Sequence, residues 1–186
     1  MYVIGGSGAI NESVLTKLRA TPQYYPGGHE TVGQGKLQVI RLGGADRYAT
    51  NKVVNEYAAA LFEFANPVGR TSITFGESSK LTALVATGED FPDALAAGPA
   101  TSGAFDPIFD GTAVNGGLPL ILIRSGSLSQ AASSEMNDLG IEQAVILGGT
   151  GAVSSSVQAS IAGLPAATYR IGGANRYETA AMTADF

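Results

Sequence analysis

Two copies of one peptide carry arginine side chains that could bind an anionic ligand. RLGGADRYAT at residues 41–50 returns as RIGGANRYET at residues 170–179, with both arginines kept. Guanidinium groups bind phosphate and carboxylate oxygens through paired hydrogen bonds. With Arg124, which follows an apolar run, the candidate polyanion-binding residues are Arg41, Arg47, Arg124, Arg170 and Arg176. The arginines could instead form internal ion pairs or bonds to strand-end carbonyl groups, and the sequence leaves both interpretations open.

A carboxylate-rich turn is the second place where chemistry could occur. ATGEDFPDALAAGP at residues 86–99 puts Glu89, Asp90 and Asp93 between a predicted strand and a predicted helix, where open parallel sheets commonly bind ligands. Three carboxylates could bind Mg²⁺ or Ca²⁺. The same residues also suit a helix start, with Asp90 as the N-cap and Asp93 facing the helix dipole. No second acidic pair with ligand spacing accompanies them, so we predict no metal site and no cofactor.

The acidic position inside the repeated peptide indicates a helix cap. Asp46 of the first copy is Asn175 in the second, and each residue precedes a predicted helix. Either side chain can accept hydrogen bonds from free backbone N–H groups at a helix start. The exchange keeps the cap and loses the charge, so we expect no general acid, general base or metal ligand there.

Other enzyme signals are weak. The turns GGSGAI and GGTGAV resemble a phosphate-binding loop, but neither completes G-x-G-x-x-G and neither has the Lys-Ser/Thr of a P-loop. A sharp turn and close strand–helix packing explain the glycines.

The one histidine, His29, lies in a Gly/Pro-rich segment, and no G-x-S-x-G sequence accompanies it. We predict that the chain is not an enzyme.

Internal repetition defines the predicted domain organisation. VIGGSGAINESV, which begins at Val3, matches ILGGTGAVSSSV, which begins at Ile146. The interval between these copies is longer than the interval from Arg41 to Arg170, which predicts an inserted loop in the Gly/Pro-rich residues 21–36. We predict the second half of one repeat in residues 1–40, a complete repeat in residues 41–169 and the start of another in residues 170–186, as in a chain cut from a tandem array.

The elements of the complete repeat predict an α/β fold. Apolar runs such as LTALVATG, LPLILIR and QAVILGG each lead into a helix-like segment. Continuous apolar strands followed by helices indicate a parallel sheet covered by helices on both faces. Residues 105–117 read as a second inserted loop, and we expect both insertions to lie outside the core.

Composition excludes several classes of function. The net charge of -5 and the absence of a basic run argue against a nucleic-acid partner. The chain has no cysteine, which excludes disulfides, zinc–thiolate sites and thiol nucleophiles. Glycines and a proline interrupt the uncharged run at residues 143–169, so we interpret it as a strand, a turn and a helix and predict no membrane span. No signal peptide is visible in this sequence.

The ordered motifs RLGGADRYATN, ATGEDFPDALAAGP, LPLILI and AVILGGTGAVSSSV closely resemble the cell wall-binding repeat type 2 family of Gram-positive surface proteins. The resemblance implies three-layer, toprim-like α/β modules, usually in three tandem copies around a pseudo-threefold axis. It also implies non-covalent anchoring of secreted enzymes, adhesins and surface-layer proteins to anionic wall polymers of the teichoic-acid type. The family's apolar signature maps onto Leu120, Ile121 and Leu122, and its arginine motif onto the two repeated peptides.

We therefore expect a non-catalytic module that tethers a secreted protein to the bacterial cell wall. The expected partners are an anionic wall polymer and neighbouring repeats in pseudo-threefold or trimeric packing. The alternative is a metal-dependent phosphoryl-transfer or nucleotide-binding domain that uses the Gly-Gly turns and the Glu89/Asp90/Asp93 turn. The catalytic toprim pattern needs Asp-x-Asp after a later strand, whereas RSGS and LGGTG occur here.

Overall fold

The computed structural model describes residues 1–22, 36–65, 72–75, 78–102, 118–164 and 166–185. Strands and helices alternate along most of this part of the chain. The strands are β1 (Tyr2–Ile4), β2 (Ile40–Leu42), β3 (Ser72–Phe75), β4 (Ser78–Thr87), β5 (Leu120–Ile123), β6 (Gln143–Leu147) and β7 (Ala167–Ile171). The helices are α1 (Glu12–Ala20), α2 (Arg47–Ala65), α3 (Phe91–Ser102), α4 (Gln130–Asp138), α5 (Ser155–Ala162) and α6 (Arg176–Ala184).

The larger sheet places strand β4 at its centre. Strands β5 and β6 pair with β4 in parallel, and β7 continues the sheet in parallel with β6. All five residues of β6 are buried, as expected for a parallel strand that is covered on both sides. The predicted α/β fold with a parallel sheet is confirmed.

Alternate residues of the central strands enter two separate hydrophobic clusters. Val85 and Ile146 belong to a cluster that includes buried residues of α4 and α5. Leu84 and Val145 belong to the other cluster, to which α3 contributes Ala97. Because successive side chains of a strand point to opposite faces, the two clusters hold helices against different faces of these strands.

A smaller sheet of β1 and β2 reproduces the geometry of β6 and β7. Val3 pairs in parallel with Arg41 in the first sheet, and Ile146 pairs in parallel with Arg170 in the second. The two pairs occupy equivalent positions in the aligned copies of the repeated motifs. The motifs that repeat in sequence therefore also form equivalent strand pairs.

Strand β3 departs from the expected all-parallel sheet. It pairs antiparallel with the first residues of β4, from Phe75 opposite Ser78 to Ser72 opposite Leu81. The sequence SITF alternates polar with β-branched or aromatic residues, a pattern typical of a strand, and it lies close enough in sequence to β4 to form a hairpin. We predicted no strand in this segment from the sequence.

Most of the two predicted insertions lies outside the described residues. An isolated antiparallel bridge joins Pro22 to Lys36, at the ends of the first insertion. Residues 105–117 and 23–35, including His29, lie outside the described part of the chain. The positions of the insertions relative to the core and the three repeat boundaries stay predictions.

Helix α2 covers the free edge of strand β5 with two amide side chains. Asn51 Nδ2 donates to the Leu120 carbonyl at 2.8 Å, and Asn51 Oδ1 accepts the Leu122 N–H at 2.8 Å. Asn55 Nδ2 donates to the same Leu120 carbonyl at 2.9 Å. An exposed strand edge is a template for pairing with other chains, and these amides occupy its hydrogen-bonding groups.

A buried carboxyl group lies where α2 packs on α4. Glu135 is 1% exposed, and its Oε1 accepts a hydrogen bond of 2.6 Å from Asn55 Nδ2. Nearby, Lys52 Nζ lies 2.6 Å from Glu56 and 2.5 Å from Asp138. Burial raises the pKa of Glu135 to about 7, against smaller lowering effects of the Asn55 hydrogen bond and the Lys52 charge.

Glu135 should make the stability of the fold depend on pH. The folded state binds the Glu135 proton more tightly than the unfolded state, so its stabilising effect is full below about pH 4.5 and is lost as pH rises through about 7. The shift corresponds to a loss on the order of 3 kcal/mol in the free energy of unfolding. We expect Glu135→Gln to remove most of this loss in denaturant titrations at pH 5 and pH 8.

The exposed residue Glu142 provides the matched control, because Glu142→Gln should keep the wild-type pH dependence. An unchanged pH dependence in Glu135→Gln would contradict the assignment to Glu135.

Candidate functional site

The first arginine of each repeated peptide forms an internal strut. Arg41 Nη1 donates to the Gly5 carbonyl and Nη2 to the Ile10 carbonyl, both at 2.7 Å. Arg170 repeats these bonds in the second copy, to the carbonyl groups of Gly148 at 2.7 Å and Val153 at 2.9 Å. Each guanidinium therefore joins a strand to the turn and helix start after the preceding strand.

Each of these two arginines also contacts a polar side chain of the helix that follows the turn. Arg41 Nη2 lies 3.3 Å from Glu12 Oε2, and Arg170 donates from Nε and Nη2 to Gln158 Oε1 at 3.1 and 2.9 Å. Burial lowers the pKa of Arg170. Two of the five predicted anion ligands thus direct most of their hydrogen bonds to groups within the fold, which is the second interpretation that the sequence left open.

Glycine is required where the backbone after each of these arginines packs against the preceding turn. A Cβ atom on Gly43 would lie 2.5 Å from the carbonyl carbon of Gly5, and one on Gly172 would lie 2.8 Å from that of Gly148. Gly148 also has a φ of 98°, which residues with side chains rarely adopt. Close backbone packing and turn geometry therefore explain these Gly-Gly sequences without a bound phosphate.

The predicted caps are confirmed in both copies of the peptide. Asp46 Oδ1 accepts the Ala49 N–H at 2.8 Å, and Asn175 Oδ1 accepts the N–H groups of Tyr177 and Glu178, each at 3.0 Å. Both side chains stabilise a helix start through an oxygen atom that needs no negative charge.

The second arginine of the first copy reaches forward to the end of β4. Arg47 Nη1 donates to the Gly88 carbonyl at 2.5 Å. A Cβ atom on Gly88 would lie 3.0 Å from the Tyr48 ring and 3.4 Å from Arg47 Cδ. Glycine at this position therefore allows the start of helix α2 to lie against the end of strand β4.

Arg124 lies beside this contact at the end of β5. Its guanidinium carbon is 4.8 Å from the centroid of the Tyr48 ring, within the range of a cation–π interaction. The Arg124 side chain is 50% exposed, and its Nη1 lies 3.9 Å from Glu89 Oε1. Arg47 and Arg124 thus share the carboxyl ends of β4 and β5, and we call Arg47, Arg124, Tyr48 and Glu89 the β4–β5 cluster.

The carboxylates of the acidic turn take different positions. Glu89 belongs to the β4–β5 cluster, and its Oε2 accepts the Ser125 N–H at 3.2 Å. Asp93, in the first turn of α3, occupies the space beside Gly148 that a Cβ atom there would fill. Burial raises the pKa of Asp93, and the Arg176 charge partly opposes this shift. Within the described residues, no group of three or more acidic, His or Cys side chains could hold a metal ion.

Arg176 differs from its counterpart Arg47. It is exposed, it lies close enough to Asp93 to affect that carboxyl electrostatically, and no hydrogen bond from its guanidinium is found among the described residues. Tyr177 is 81% exposed, whereas the corresponding Tyr48 is 4% exposed. In the second copy, Arg170 therefore keeps its bonds to the turn after the preceding strand. Arg176 makes no hydrogen bond to a strand end within the described part of the chain.

The apolar signature forms part of the sheet. Ile121 is fully buried in the cluster on one face, and Leu120 packs on the cluster of the other face. Leu122 is half-buried, and its N–H is bound by Asn51. The positions of Leu120, Ile121 and Leu122 are thus explained by packing and by the covered edge of β5.

Sequence reasoning missed two threonines and the tyrosine of the β4–β5 cluster. Thr50 Oγ1 accepts the Gly44 N–H at 3.0 Å, and Thr179 Oγ1 accepts the Gly173 N–H at 3.0 Å. Thr50 and Thr179 occupy the same position in the two copies, as do Tyr48 and Tyr177. A comparison of the copies beyond their arginines would have found them.

Comparison with known proteins identifies the family. A family model described as cell wall binding domain 2 matches residues 41–158, more than half of the chain. The chain belongs to the cell wall binding domain 2 family. It is thus a cell wall-anchoring module, as the family resemblance implied, and the comparisons do not support a phosphoryl-transfer or nucleotide-binding domain.

Relatives of the chain extend well beyond the matched region. The chain is 28% identical over 146 residues to the N-acetylmuramoyl-L-alanine amidase LytC of Bacillus subtilis, covering 78% of this chain and 23% of the amidase. Its fold is similar to those of Cwp6 and Cwp8 from Clostridium difficile, with TM-scores of 0.66 and 0.60 at 19% and 21% identity. These matches cover 99% and 98% of this chain and 23% of each structure. The chain thus spans about a quarter of the length of these relatives.

Removing a strut should affect the fold far more than removing the exposed arginine of the same peptide. Arg170→Ala leaves the carbonyl groups of Gly148 and Val153 without their donors, and we expect a loss of about 2–4 kcal/mol in the free energy of unfolding. Arg176→Ala removes an exposed side chain and should change it by less than about 0.5 kcal/mol. Denaturant titration of the two variants checks the difference, and equal stability of both would contradict the strut.

Proposed function

We propose that this module binds an anionic secondary polymer of the cell wall, of the teichoic-acid type, through the β4–β5 cluster. The observation that carries the proposal is that Arg47 and Arg124 both lie at the carboxyl ends of β4 and β5, where both are exposed. Arg124 is half-exposed, fixed over Tyr48 and free of hydrogen bonds to backbone carbonyl groups within the described residues. A phosphate group could accept hydrogen bonds from it without disrupting the fold.

Arg176 is the second candidate contact. It lies at the start of α6 and is exposed, and a helix N-terminus adds its dipole to the attraction for an anion. Arg41 and Arg170 remain in the proposal only as supports, because their donors bind internal carbonyl groups. The candidate ligand set is therefore narrower than the five arginines that the sequence suggested.

The charge around these arginines makes each contact weak. The chain carries a net charge of -5, and Glu89 lies beside Arg124 while Asp93 lies near Arg176. A polymer with many phosphate groups can still be held if several repeats bind it together. Binding at one repeat raises the effective concentration of the polymer at the neighbouring repeats. We infer that neighbouring repeats act together on one polymer, in trimeric or pseudo-threefold packing.

We also propose that the module is not catalytic and acts outside the cell, at the wall. No helix in the described ranges is long and apolar enough to cross a membrane, and the acidic turn is occupied by structural contacts. The packing of helices against both faces of the central strands is compatible with a three-layer, toprim-like unit. In this proposal, a catalytic activity of the parent protein would reside in another part of it.

Wall binding should depend on the arginines of the β4–β5 cluster. We expect Arg47→Ala/Arg124→Ala to reduce sedimentation with purified cell walls by about five-fold or more at low salt, because two charged contacts are lost. The remaining binding should also be less sensitive to salt, since exposed ionic contacts are screened as the Debye length shortens. Walls stripped of their teichoic-acid-type polymers should bind wild type and variant equally weakly.

Lys17→Ala/Arg19→Ala is the matched control. Both residues are exposed on α1, and Arg19 pairs with Glu12, so their loss removes the same number of positive charges without touching the cluster. Melting temperatures must be compared in parallel, because Arg47 also bonds to Gly88. Full wall binding by a folded Arg47→Ala/Arg124→Ala variant would reject the cluster as the polymer site.

A further inference from the structure

Glu89 places a carboxylate among the donors of the β4–β5 cluster. Its Oε2 accepts the Ser125 N–H at 3.2 Å, and its Oε1 lies 3.9 Å from Arg124 Nη1. The side chain and then the backbone N–H of Ser125, followed by the charges of Arg124 and Arg47, lower the pKa of Glu89. Ser125 and both arginines therefore act together on one negatively charged group.

The backbone of Glu89 is fixed, whereas its carboxylate remains accessible. The Glu89 N–H donates to Thr87 Oγ1 at 3.2 Å, and Thr87 Oγ1 lies 3.0 Å from Ser125 Oγ. The Glu89 side chain is nevertheless 44% exposed, and its distance to Arg124 is long for an ion pair. Exposed pairs of this kind contribute little free energy, so a ligand anion can displace the carboxylate.

The arrangement is that of an anion-binding site which already contains an anion. A backbone N–H after a parallel strand and two guanidinium groups are the donors that commonly bind phosphate. Here a side chain of the same molecule uses the N–H and faces the nearer guanidinium. A polymer phosphate that approaches Arg124 must either replace the Glu89 carboxylate or remain beside it.

We propose that Glu89 limits the strength of anion binding at Arg124, because its carboxylate accepts the Ser125 N–H and places a negative charge beside the guanidinium that a phosphodiester group of the polymer would use. This inference rests on the proposed function of the β4–β5 cluster. It makes Glu89 a specificity-determining residue, because each anion that binds Arg124 must displace the carboxylate or remain beside it, and several linked sites together offset this cost. Single-site affinity stays low, and retention on the wall depends on the number of sites that bind together.

Glu89→Gln tests the proposal, because the amide oxygen can still accept the Ser125 N–H while the charge is removed. We expect the 186-residue chain with this substitution to bind a synthetic glycerol-phosphate oligomer about two- to five-fold more tightly in calorimetric titration, the range expected for one exposed charge contact. Its binding should also fall more steeply with added salt. A role confined to folding would change the melting temperature and not the salt dependence.

Asp90→Asn is the matched control, since it removes the same charge from the adjacent residue, for which no ion pair with Arg124 is found among the described residues. An equal gain in Asp90→Asn, or no gain in Glu89→Gln, would overturn the proposal. Because Glu89 acts through Arg124, Glu89→Gln/Arg124→Ala must bind the oligomer no more tightly than Arg124→Ala alone. A gain in affinity in that comparison would reject the proposal.

The same measurements separate this inference from the proposed function. If Arg47→Ala/Arg124→Ala binds the oligomer normally, the polymer site itself is rejected and the role of Glu89 falls with it. Loss of binding in that variant without a gain in Glu89→Gln rejects the role of Glu89 alone.

Discussion

The carbonyl groups at the carboxyl ends of the parallel strands need hydrogen-bond donors, and arginine supplies them in this chain. Gly5, Gly88 and Gly148 each accept a bond from a guanidinium group at these ends. Unpaired carbonyl groups in a packed turn are costly, and only a long side chain with several donors reaches them from a neighbouring strand or helix. These contacts hold the turns after β1, β4 and β6 against a neighbouring strand or helix.

This constraint separates two roles within one short peptide. Its first arginine reaches back to the preceding turn, as Arg41 does to Gly5 and Ile10. In the first copy, the second arginine also reaches forward to the next strand end, since Arg47 binds Gly88. The recurrence of the first arginine is thus explained by a recurring internal contact, because Arg170 binds Gly148 and Val153 in the same way.

The sequence allowed the repeated geometry to be predicted because the repeat is encoded locally. Offsets between motifs showed that the segments of β1 and β2 correspond to those of β6 and β7, and the Asp46/Asn175 exchange identified a cap. Other features depend on contacts between distant segments, which no local pattern reveals. Glu135 is buried where α2 packs on α4, and Asn51 and Asn55 cover the edge of β5, but the sequence around these residues indicates neither contact. Arg41 and Arg47 are equally polar in sequence, and only the position of the carbonyl groups distinguishes a strut from a candidate ligand.

Under the proposed function, the distribution of charge lets an acidic module hold an anionic polymer and still release it locally. Arg41 and Arg170, which each bind two backbone carbonyl groups, act as internal supports, whereas Arg47 binds one carbonyl group and is exposed, and the half-exposed Arg124 shares its position with Glu89. A strongly basic surface would bind any polyanion, including nucleic acid, with little selectivity. A small cluster that is partly neutralised by its own carboxylate binds firmly only where ligand charges are dense and repeated. Selectivity for a polymer then arises from multiplicity of sites, which is the property that a repeated module supplies.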